Sequence, residues 1–478
     1  MIQIEKFNET YNKIHCNDDI ARELSDYFTF EVPGAKFIPS VKNKKWDGKI
    51  RLFNAGTHNI YAGLIEYIQD FAKQNEYPVE FLSDFSDADC GDVDELISRI
   101  GLTKPPRDYQ IAAFRHAVKK QRSLLLSPTA SGKSLIIYML CRYYNLKTLL
   151  IVPTTSLVHQ MYSDFEEYGF DSKANCHMIF SGQEKDVDKQ IYISTWQSIY
   201  SLPKKWFQQF DCVIGDEAHL FKAKSLTTIM QNLSACKYRF GFTGTLDGSH
   251  THKLVLEGLF GTVKKVTTTS ELIDRKYLSD FKIKAIVLNY EDQYRQQIKI
   301  ATYADEIDFL VNHYPRNKFI CNLALNLKGN TLILYQYVDK HGKAIYDVLN
   351  DKAKDRKVHF VSGEISGQDR DVIRRAVELE TDSIIVASYG TFSTGVNIKN
   401  LHNIIFASPS KSRVRNLQSI GRGLRLGDRK EKAWLYDIAD DLQWKQRKNH
   451  TLNHFVERIK IYNEEKFDYK TFSIDIKG

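Results

Sequence analysis

Two groups of residues in this 478-residue chain have the types and spacing that phosphate chemistry requires. The first is Ser127-Pro128-Thr129-Ala130-Ser131-Gly132-Lys133-Ser134, set between the apolar run Ser123–Leu126 and a helical stretch, Leu135–Tyr144. Strand, small-residue loop and helix in that order make a P-loop, whose backbone N–H groups and helix N-terminus present positive dipoles to a triphosphate. Thr129, Ala130, Ser131 and Gly132 then line the phosphates, Lys133 reaches the β- and γ-phosphates, and the Ser134 hydroxyl ligates Mg²⁺. The generic motif has Gly where this chain has Ser127, and Ala130 is a second small residue where Gly is common. The second group is Asp216-Glu217-Ala218-His219, reached from the apolar run Cys212-Val213-Ile214-Gly215. Adjacent carboxylates at a strand end suit magnesium-dependent hydrolysis of a nucleoside triphosphate: Asp216 holds the metal through its water shell and Glu217 polarises the attacking water. His219, directly after them, suits a coupling role.

Such groups need parallel sheets to position them. From about residue 105, short apolar runs alternate with helix-length segments: Ser123–Leu126, Thr148–Val152, Ile191–Thr195, Cys212–Gly215 and Arg239–Thr243. The alternation pauses over roughly 265–330, where Pro315 falls, and resumes with Thr331–Tyr335, Val358–Val361, Ser383–Ala387, Asn403–Ala407 and Ala433–Tyr436. Two βα series imply two α/β domains in tandem. Ahead of them, Phe28–Val32 and Lys49–Phe53 alternate like strands and Tyr61–Gln74 reads as helix, which predicts a small α+β module. Residues 84–95 carry Asp84, Asp87, Asp89, Asp92, Asp94 and Glu95 with no basic residue, a self-repelling run that suits a linker or an exposed helix start. The expected organisation is an accessory region at 1–90, a first α/β domain at 91–270 and a second at 271–478.

Composition narrows the class. Apolar residues at 42% and charged residues at 26% are ordinary for a soluble globular protein. No apolar run approaches the roughly 18 residues of a membrane span, and the start lacks a signal-peptide layout, so a cytoplasmic location is expected. The seven cysteines are scattered without a C-x-x-C pair, which argues against a zinc site or a disulfide framework. The net charge of +8 is uneven: residues 1–100 hold 18 acidic against 11 basic side chains. Basic side chains cluster at Lys36, Lys42, Lys44, Lys45, Lys49 and Arg51 around Trp46, and again between Lys411 and Lys432. The first cluster suits a duplex-backbone contact by Lys44 and Lys45, with the Trp46 ring free to stack or wedge. Trp46 as a half-buried anchor beside an exposed edge strand is the alternative.

Taken together, these motifs resemble the superfamily 2 helicases through both α/β series. Arg107-Asp108-Tyr109-Gln110 looks like that family's adenine-reading segment, with Gln110 on the base. Ile151-Val152-Pro153-Thr154-Thr155 and Thr195-Trp196-Gln197-Ser198 resemble its motifs Ia and Ib, which implies that Thr154, Thr155, Thr195 and Gln197 touch a nucleic-acid backbone without reading sequence. Thr243-Gly244-Thr245 stands in the place of motif III, with Gly244 for the usual Ala. Ala387 to Asn397 is similar to motif V, placing Thr391 on nucleic acid and Gly395 on nucleotide, with Asn397 where many relatives have Asp. Gln418-Ser419-Ile420-Gly421-Arg422-Gly423-Leu424-Arg425 matches motif VI, in which Gln418 joins the site. An arginine delivered across a cleft compensates transition-state charge on the γ-phosphate; Arg422 and Arg425 are the candidates, and Arg425 the preferred finger.

The whole chain is similar to the UvsW-type helicases of tailed phages. Lys45-Trp46-Asp47-Gly48-Lys49-Ile50-Arg51-Leu52, Val386-Ala387-Ser388-Tyr389-Gly390 with Phe392-Ser393-Thr394-Gly395, and Ile461-Tyr462-Asn463-Glu464-Glu465-Lys466-Phe467 carry that likeness. It implies two RecA-like lobes and ATP-driven unwinding or branch migration of DNA junctions, D-loops, R-loops and stalled forks in recombination, repair and replication. It further implies 3′→5′ polarity, RNA–DNA hybrids as further partners, and action as a monomer in the bacterial host cytoplasm. The alternatives are a double-strand DNA translocase or restriction-type motor subunit, and a nucleotide-gated nucleic-acid binding protein without productive hydrolysis.

Overall fold

The computed structural model of the chain describes every residue except 33, 92, 366, 394–397, 399, 409, 411, 425–431 and 478, and gives only the backbone of Gly367, Gln368, Asp371, Ser393, Val414 and Arg422. Two compact units result: Met1–Ser127 with Gly132–Val266, and Thr267–Gly478 with Pro128–Ser131.

In the N-terminal region the strands are β1 (Ile2–Lys6), β2 (Tyr11–His15), β3 (Thr29–Glu31), β4 (Lys49–Arg51), β5 (Phe53–Asn54), β6 (Asn59–Tyr61) and β7 (Val79–Phe81). Five of them form a sheet in the order β5-β6-β2-β1-β7, while β3 and β4 pair separately as an antiparallel ribbon. Next come β8 (Arg122–Leu126), β9 (Thr148–Val152), β10 (Cys176–Ile179), β11 (Ile191–Thr195), β12 (Cys212–Asp216), β13 (Tyr238–Thr243) and β14 (Val263–Lys265). These form a seven-stranded sheet in the order β10-β11-β9-β12-β13-β8-β14, parallel at every pairing. Strands such as Thr148–Val152 are buried at all five positions, as strands covered by helices on both faces must be.

The second unit repeats the plan. Its strands are β15 (Asp280–Asn289), β16 (Thr331–Tyr335), β17 (Val358–Val361), β18 (Ile384–Ser388), β19 (Asn403–Phe406), β20 (Lys432–Asp441) and β21 (Asp468–Asp475). They form a parallel sheet in the order β17-β18-β16-β19-β20-β15-β21, the same order as the first sheet when each series is counted from its own first strand. The expected architecture of two parallel α/β sheets behind a small α+β region is therefore present. β15 falls inside the stretch 265–330 that reads as a pause in the sequence.

The N-terminal region does not hang from a linker. One hydrophobic core joins Ile4, Leu24 and Phe71 to Leu124, Leu149 and Phe260. Arg239 on β13, 0% exposed, crosses the seam: its Nη2 donates to Thr10 Oγ1 at 2.9 Å, its Nη1 to the Met230 carbonyl at 3.2 Å and its Nε to the Cys236 carbonyl at 3.1 Å. A Cβ at Gly63 would stand 1.9 Å from the Glu257 carbonyl, so backbone meets backbone there and only glycine fits. Tyr67 donates its hydroxyl to Glu257 Oε2 at 2.7 Å. The acidic run is fastened too: Asp87 pairs with Lys120 at 3.0 Å, and Ala88 N–H donates to the Lys119 carbonyl at 2.8 Å.

In the second unit two buried ion pairs hold the helices to β20. Arg316 Nε lies 2.7 Å from Asp440 Oδ1, and Arg458 Nε lies 2.9 Å from Asp437 Oδ2. Tyr290 and Tyr462 donate their hydroxyls to the same two carboxylates at 2.8 Å, so no carboxylate charge is buried unpaired. After β16 the chain takes a π-helical turn, Val338–Lys343, that carries the buried His341.

Candidate functional site

In a parallel sheet all strand C-termini share one edge, so the order of strands sets the order of the loops. Along the first sheet that edge presents Thr195 and Gln197 after β11, Thr154 and Thr155 after β9, Asp216 and Glu217 at β12, Thr243 at β13 and the P-loop after β8. The phosphate-directed residues thus occupy three adjacent strands, and the residues expected on nucleic acid occupy the next two.

The P-loop turns on two left-handed residues, Ala130 at φ 66° and Gly132 at φ 77°. Such a turn into a helix N-terminus makes a concavity for an anion. Ser131 Oγ donates to the Pro128 carbonyl at 2.7 Å, bracing the loop. A Cβ at Gly132 would lie 2.5 Å from Gln110 Nε2, so glycine admits the Gln110 amide, which donates to the Gly132 carbonyl at 3.1 Å. The other end of that amide, Oε1, accepts from Arg107 N–H at 2.8 Å, and Arg107 Nη1 donates to the Tyr109 hydroxyl at 2.8 Å. The expected adenine-reading segment is fastened directly to the phosphate loop.

Lys133 Nζ lies 3.5 Å from Glu217 Oε1 and 3.8 Å from Asp216 Oδ1. Asp216 is 7% exposed; burial pushes its carboxyl above the usual range, and the Lys133 ammonium opposes that shift. Its Oδ1 is buried and accepts no hydrogen bond from the described residues. An orphaned carboxylate oxygen, with the Ser134 hydroxyl as a second oxygen donor, is a donor set that suits a hard divalent cation.

Glu217 takes a left-handed φ of 51° at the head of the short helical turn Ala218–Lys222. That abrupt turn brings its Oε2 to 3.4 Å from His219 Nδ1. His219 Nδ1 also sits 3.0 Å from Thr243 Oγ1, which itself donates to the Thr245 carbonyl at 2.9 Å. Thr243 must therefore accept from the imidazole, which places the ring proton on Nδ1. Ser127 N–H donates to the Thr243 carbonyl at 2.8 Å. Thr243 is thus the meeting point of the carboxylate strand and the first residue of the P-loop.

One participant carries no local sequence signal. The Tyr168 hydroxyl, following the helix Thr155–Glu167, lies 2.8 Å from Ser134 Oγ. Burial pushes its phenol up to about 12, so it stands there as a neutral hydroxyl, able to donate or accept. Its ring packs on Tyr138, one turn along the P-loop helix, at 5.4 Å between centroids.

The expected nucleic-acid residues divide into two kinds. Thr154 caps its helix, its hydroxyl accepting from Leu157 N–H, and Thr195 is buried with its hydroxyl 2.8 Å from Ser198 Oγ. Thr155 and Gln197 are exposed on the same edge. In the second unit Thr391 is buried with Oγ1 2.7 Å from Ser388 Oγ, and Gln418 is half-buried on the helix Arg413–Gly423, which also carries the Arg422 backbone. Gly395 and Arg425 lie outside the described residues. On the β3–β4 ribbon Lys44 and Lys45 are exposed, while Trp46 is half-buried and donates its indole N–H to the Lys49 carbonyl at 3.0 Å.

Comparison with known proteins adds three family matches: "DNA helicase UvsW, N-terminal" over residues 2–82, "Type III restriction enzyme, res subunit" over 103–248, and "Helicase conserved C-terminal domain" over 315–427. The ATP-dependent DNA helicase uvsW of Enterobacteria phage T4 is 33% identical, over 99% of this chain and 100% of its own length. The DNA 3'-5' translocase XPB2 of Sulfurisphaera tokodaii is 29% identical over 40% of this chain and 42% of its own. The crystal structure of T4 UvsW superposes with a TM-score of 0.52 at 32% identity, covering 99% of each chain.

Proposed function

We propose, since the chain belongs to the UvsW family of ATP-dependent DNA helicases, that its substrate is branched DNA, which it unwinds or branch-migrates at junctions, D-loops, R-loops and stalled forks in recombination, repair and replication. The observation that carries this reading is the unbroken series Lys133, Asp216, Glu217, His219 and Thr243, on the same sheet edge as Thr155 and Gln197. In this reading Lys133 binds the β- and γ-phosphates and Glu217 orients the attacking water. His219, bonded to both Glu217 and Thr243, relays the state of the carboxylate to the loop after β13.

Ser134 and Asp216 would hold Mg²⁺. That cation, when bound, would neutralise charge on the phosphate oxygens. Tyr109 and Gln110 read the adenine, with Thr129, Ala130, Ser131, Gly132 and Gly395 around the nucleotide. Arg425, with Arg422 and Gln418, compensates the charge that develops on the γ-phosphate. Residues 1–90 serve as the accessory DNA contact, through Lys44 and Lys45 presented by a loop that Trp46 anchors. Residues 91–270 and 271–478 are the two halves of the motor, Thr154, Thr155, Thr195, Gln197 and Thr391 its tracking contacts. The enzyme works 3′→5′ as a monomer in the host cytoplasm and also accepts RNA–DNA hybrids; no helix among the described residues is long and apolar enough to cross a membrane.

Strand displacement on a matched panel tests the reading. Forks, four-way junctions, R-loops and plain overhangs are compared with and without ATP. ATP-dependent displacement that favours the branched members is expected. Equal rates on plain overhangs would remove the branched-DNA reading, and hydrolysis without displacement would favour a double-strand translocase.

A further inference from the structure

The basic cluster near Trp46 is presented by a built element. Val32 N–H donates to the Gly48 carbonyl at 2.9 Å and closes an insertion between β3 and β4 whose described residues are 34–47. Its base rests on the motor: the Phe30 ring lies 5.4 Å, edge-on, from His250, the first residue of the helix His250–Phe260. Its tip is the short turn Ala35–Phe37 running into the helical turn Pro39–Lys42, where Pro39 at the first helical position leaves no N–H unpaired.

That tip exposes an apolar knuckle. Phe37 is 68% exposed and Ile38 36%. Lys36 Nζ stands 5.2 Å from the Phe37 ring centroid, and Lys42, Lys44 and Lys45 are exposed in the same insertion. Asp47 is engaged elsewhere: it pairs with Arg51 and accepts Lys49 N–H at 3.1 Å. The indole that the sequence puts forward as the stacking ring is turned inward to the Lys49 carbonyl, whereas the phenyl group stands in solvent beside Lys36.

We propose that Phe37, backed by Ile38, is the stacking element of this insertion, and that its ligand is the open end of a base-paired stack at a DNA branch point. The chemistry selects that ligand. The ammonium groups of the insertion bind phosphates, and a phenyl face stacks on a base. Inside a continuous duplex every base-pair face is already covered; at a fork or junction one is exposed. The knuckle therefore separates a branch point from continuous duplex, while the lysines bind both. This assignment rests on the branched-DNA reading above.

The test uses the full chain and its Phe37→Ala, Phe37→Trp and Lys44→Glu/Lys45→Glu variants, with affinities measured for a three-way fork and for a duplex of equal length, the open ends of both being closed by hairpin loops. Loss of one stacked base predicts a fork affinity about 10-fold weaker in Phe37→Ala, with closed-duplex affinity and its salt slope as in the unaltered chain. Phe37→Trp keeps the fork preference, and Lys44→Glu/Lys45→Glu weakens both ligands and flattens the salt slope. A 2-aminopurine at the branch point changes fluorescence on binding of the unaltered chain and not of Phe37→Ala. A Phe37→Ala protein that keeps its fork preference, or loses fork and duplex affinity equally, overturns the assignment and leaves the branched-DNA reading standing. An unaltered chain with no fork preference overturns both.

Discussion

Replacing Tyr168 by phenylalanine removes one oxygen and keeps the ring that packs on Tyr138, so no cavity opens in the core. What is lost is the 2.8 Å bond to Ser134 Oγ. A serine side chain has three staggered wells, so releasing it from one costs about 0.6 kcal/mol in the productive orientation. The net worth of the hydrogen bond sets an upper figure of about 1.5 kcal/mol. With Ser134 as cation ligand, these values predict that the Mg²⁺ concentration for half-maximal turnover rises about 3- to 10-fold in Tyr168→Phe. DNA-stimulated ATP hydrolysis titrated with Mg²⁺ at fixed ATP reads this directly, and saturating Mg²⁺ should restore the maximal rate. A lower Mg²⁺ requirement would mean that Tyr168 withholds the serine from the cation, and an unchanged one would mean that it does not hold the serine at all. Either result refutes the reasoning.

Glu217→Gln should slow hydrolysis by about 10²- to 10⁴-fold while nucleotide still binds, leaving protein retained on DNA in the presence of ATP; single-turnover hydrolysis and filter binding report the two quantities. Gly132→Ala puts a Cβ into a left-handed position 2.5 Å from Gln110 Nε2, and a left-handed alanine alone costs about 1–2 kcal/mol, so ATP affinity by equilibrium titration should fall about tenfold or more. His341, fully buried, is pushed from 6.5 to about 3 by burial and by the nearby Arg316. The unfolded chain takes up a proton below pH 6.5 that the folded chain refuses, so stability present above 6.5 is lost towards pH 3. The loss is on the order of 2 kcal/mol between pH 6.5 and 5. Melting curves across that range check it, and His341→Gln should flatten the dependence.

The central strands stand plainly in the sequence because they are buried on both sides. Thr148–Val152, Ile191–Thr195 and Thr331–Tyr335 have the limits that their apolar runs suggest, as does the partly buried edge strand Val358–Val361. β15 and β21 do not stand out, and the reason is solvent. β21 is the edge of its sheet and mostly exposed, while β15, beside it, alternates buried Phe281, Ile283 and Ala285 with Lys282 and Lys284. β21 offers no continuous apolar run, and in β15 the run Ala285–Leu288 comes only after a charged, alternating start, unlike a central parallel strand. The shared strand order of the two sheets is invisible for a different reason: it is a property of long-range pairing, and the two series share no sequence repeat. Side-chain destinations behave alike. Trp46 and Phe37 are both aromatic residues among lysines, and only tertiary contacts decide that one is tied to a carbonyl and the other bare. Tyr168 meets Ser134 solely because its helix ends beside the first turn of the P-loop helix.

The fusion of the N-terminal region with the first sheet bears on how the protein is inherited and how it melts. A module on a tether can be lost or exchanged in evolution without harm to its neighbour. Here its loss would uncover Leu124 and Phe260 and take Thr10 from the Arg239 guanidinium. The region and the ATP-binding sheet should therefore unfold in one cooperative transition, with amide protons of β1 and β13 exchanging together. On the proposed reading, DNA gripped by the insertion would be carried with the P-loop sheet itself, with no slack to absorb the stroke.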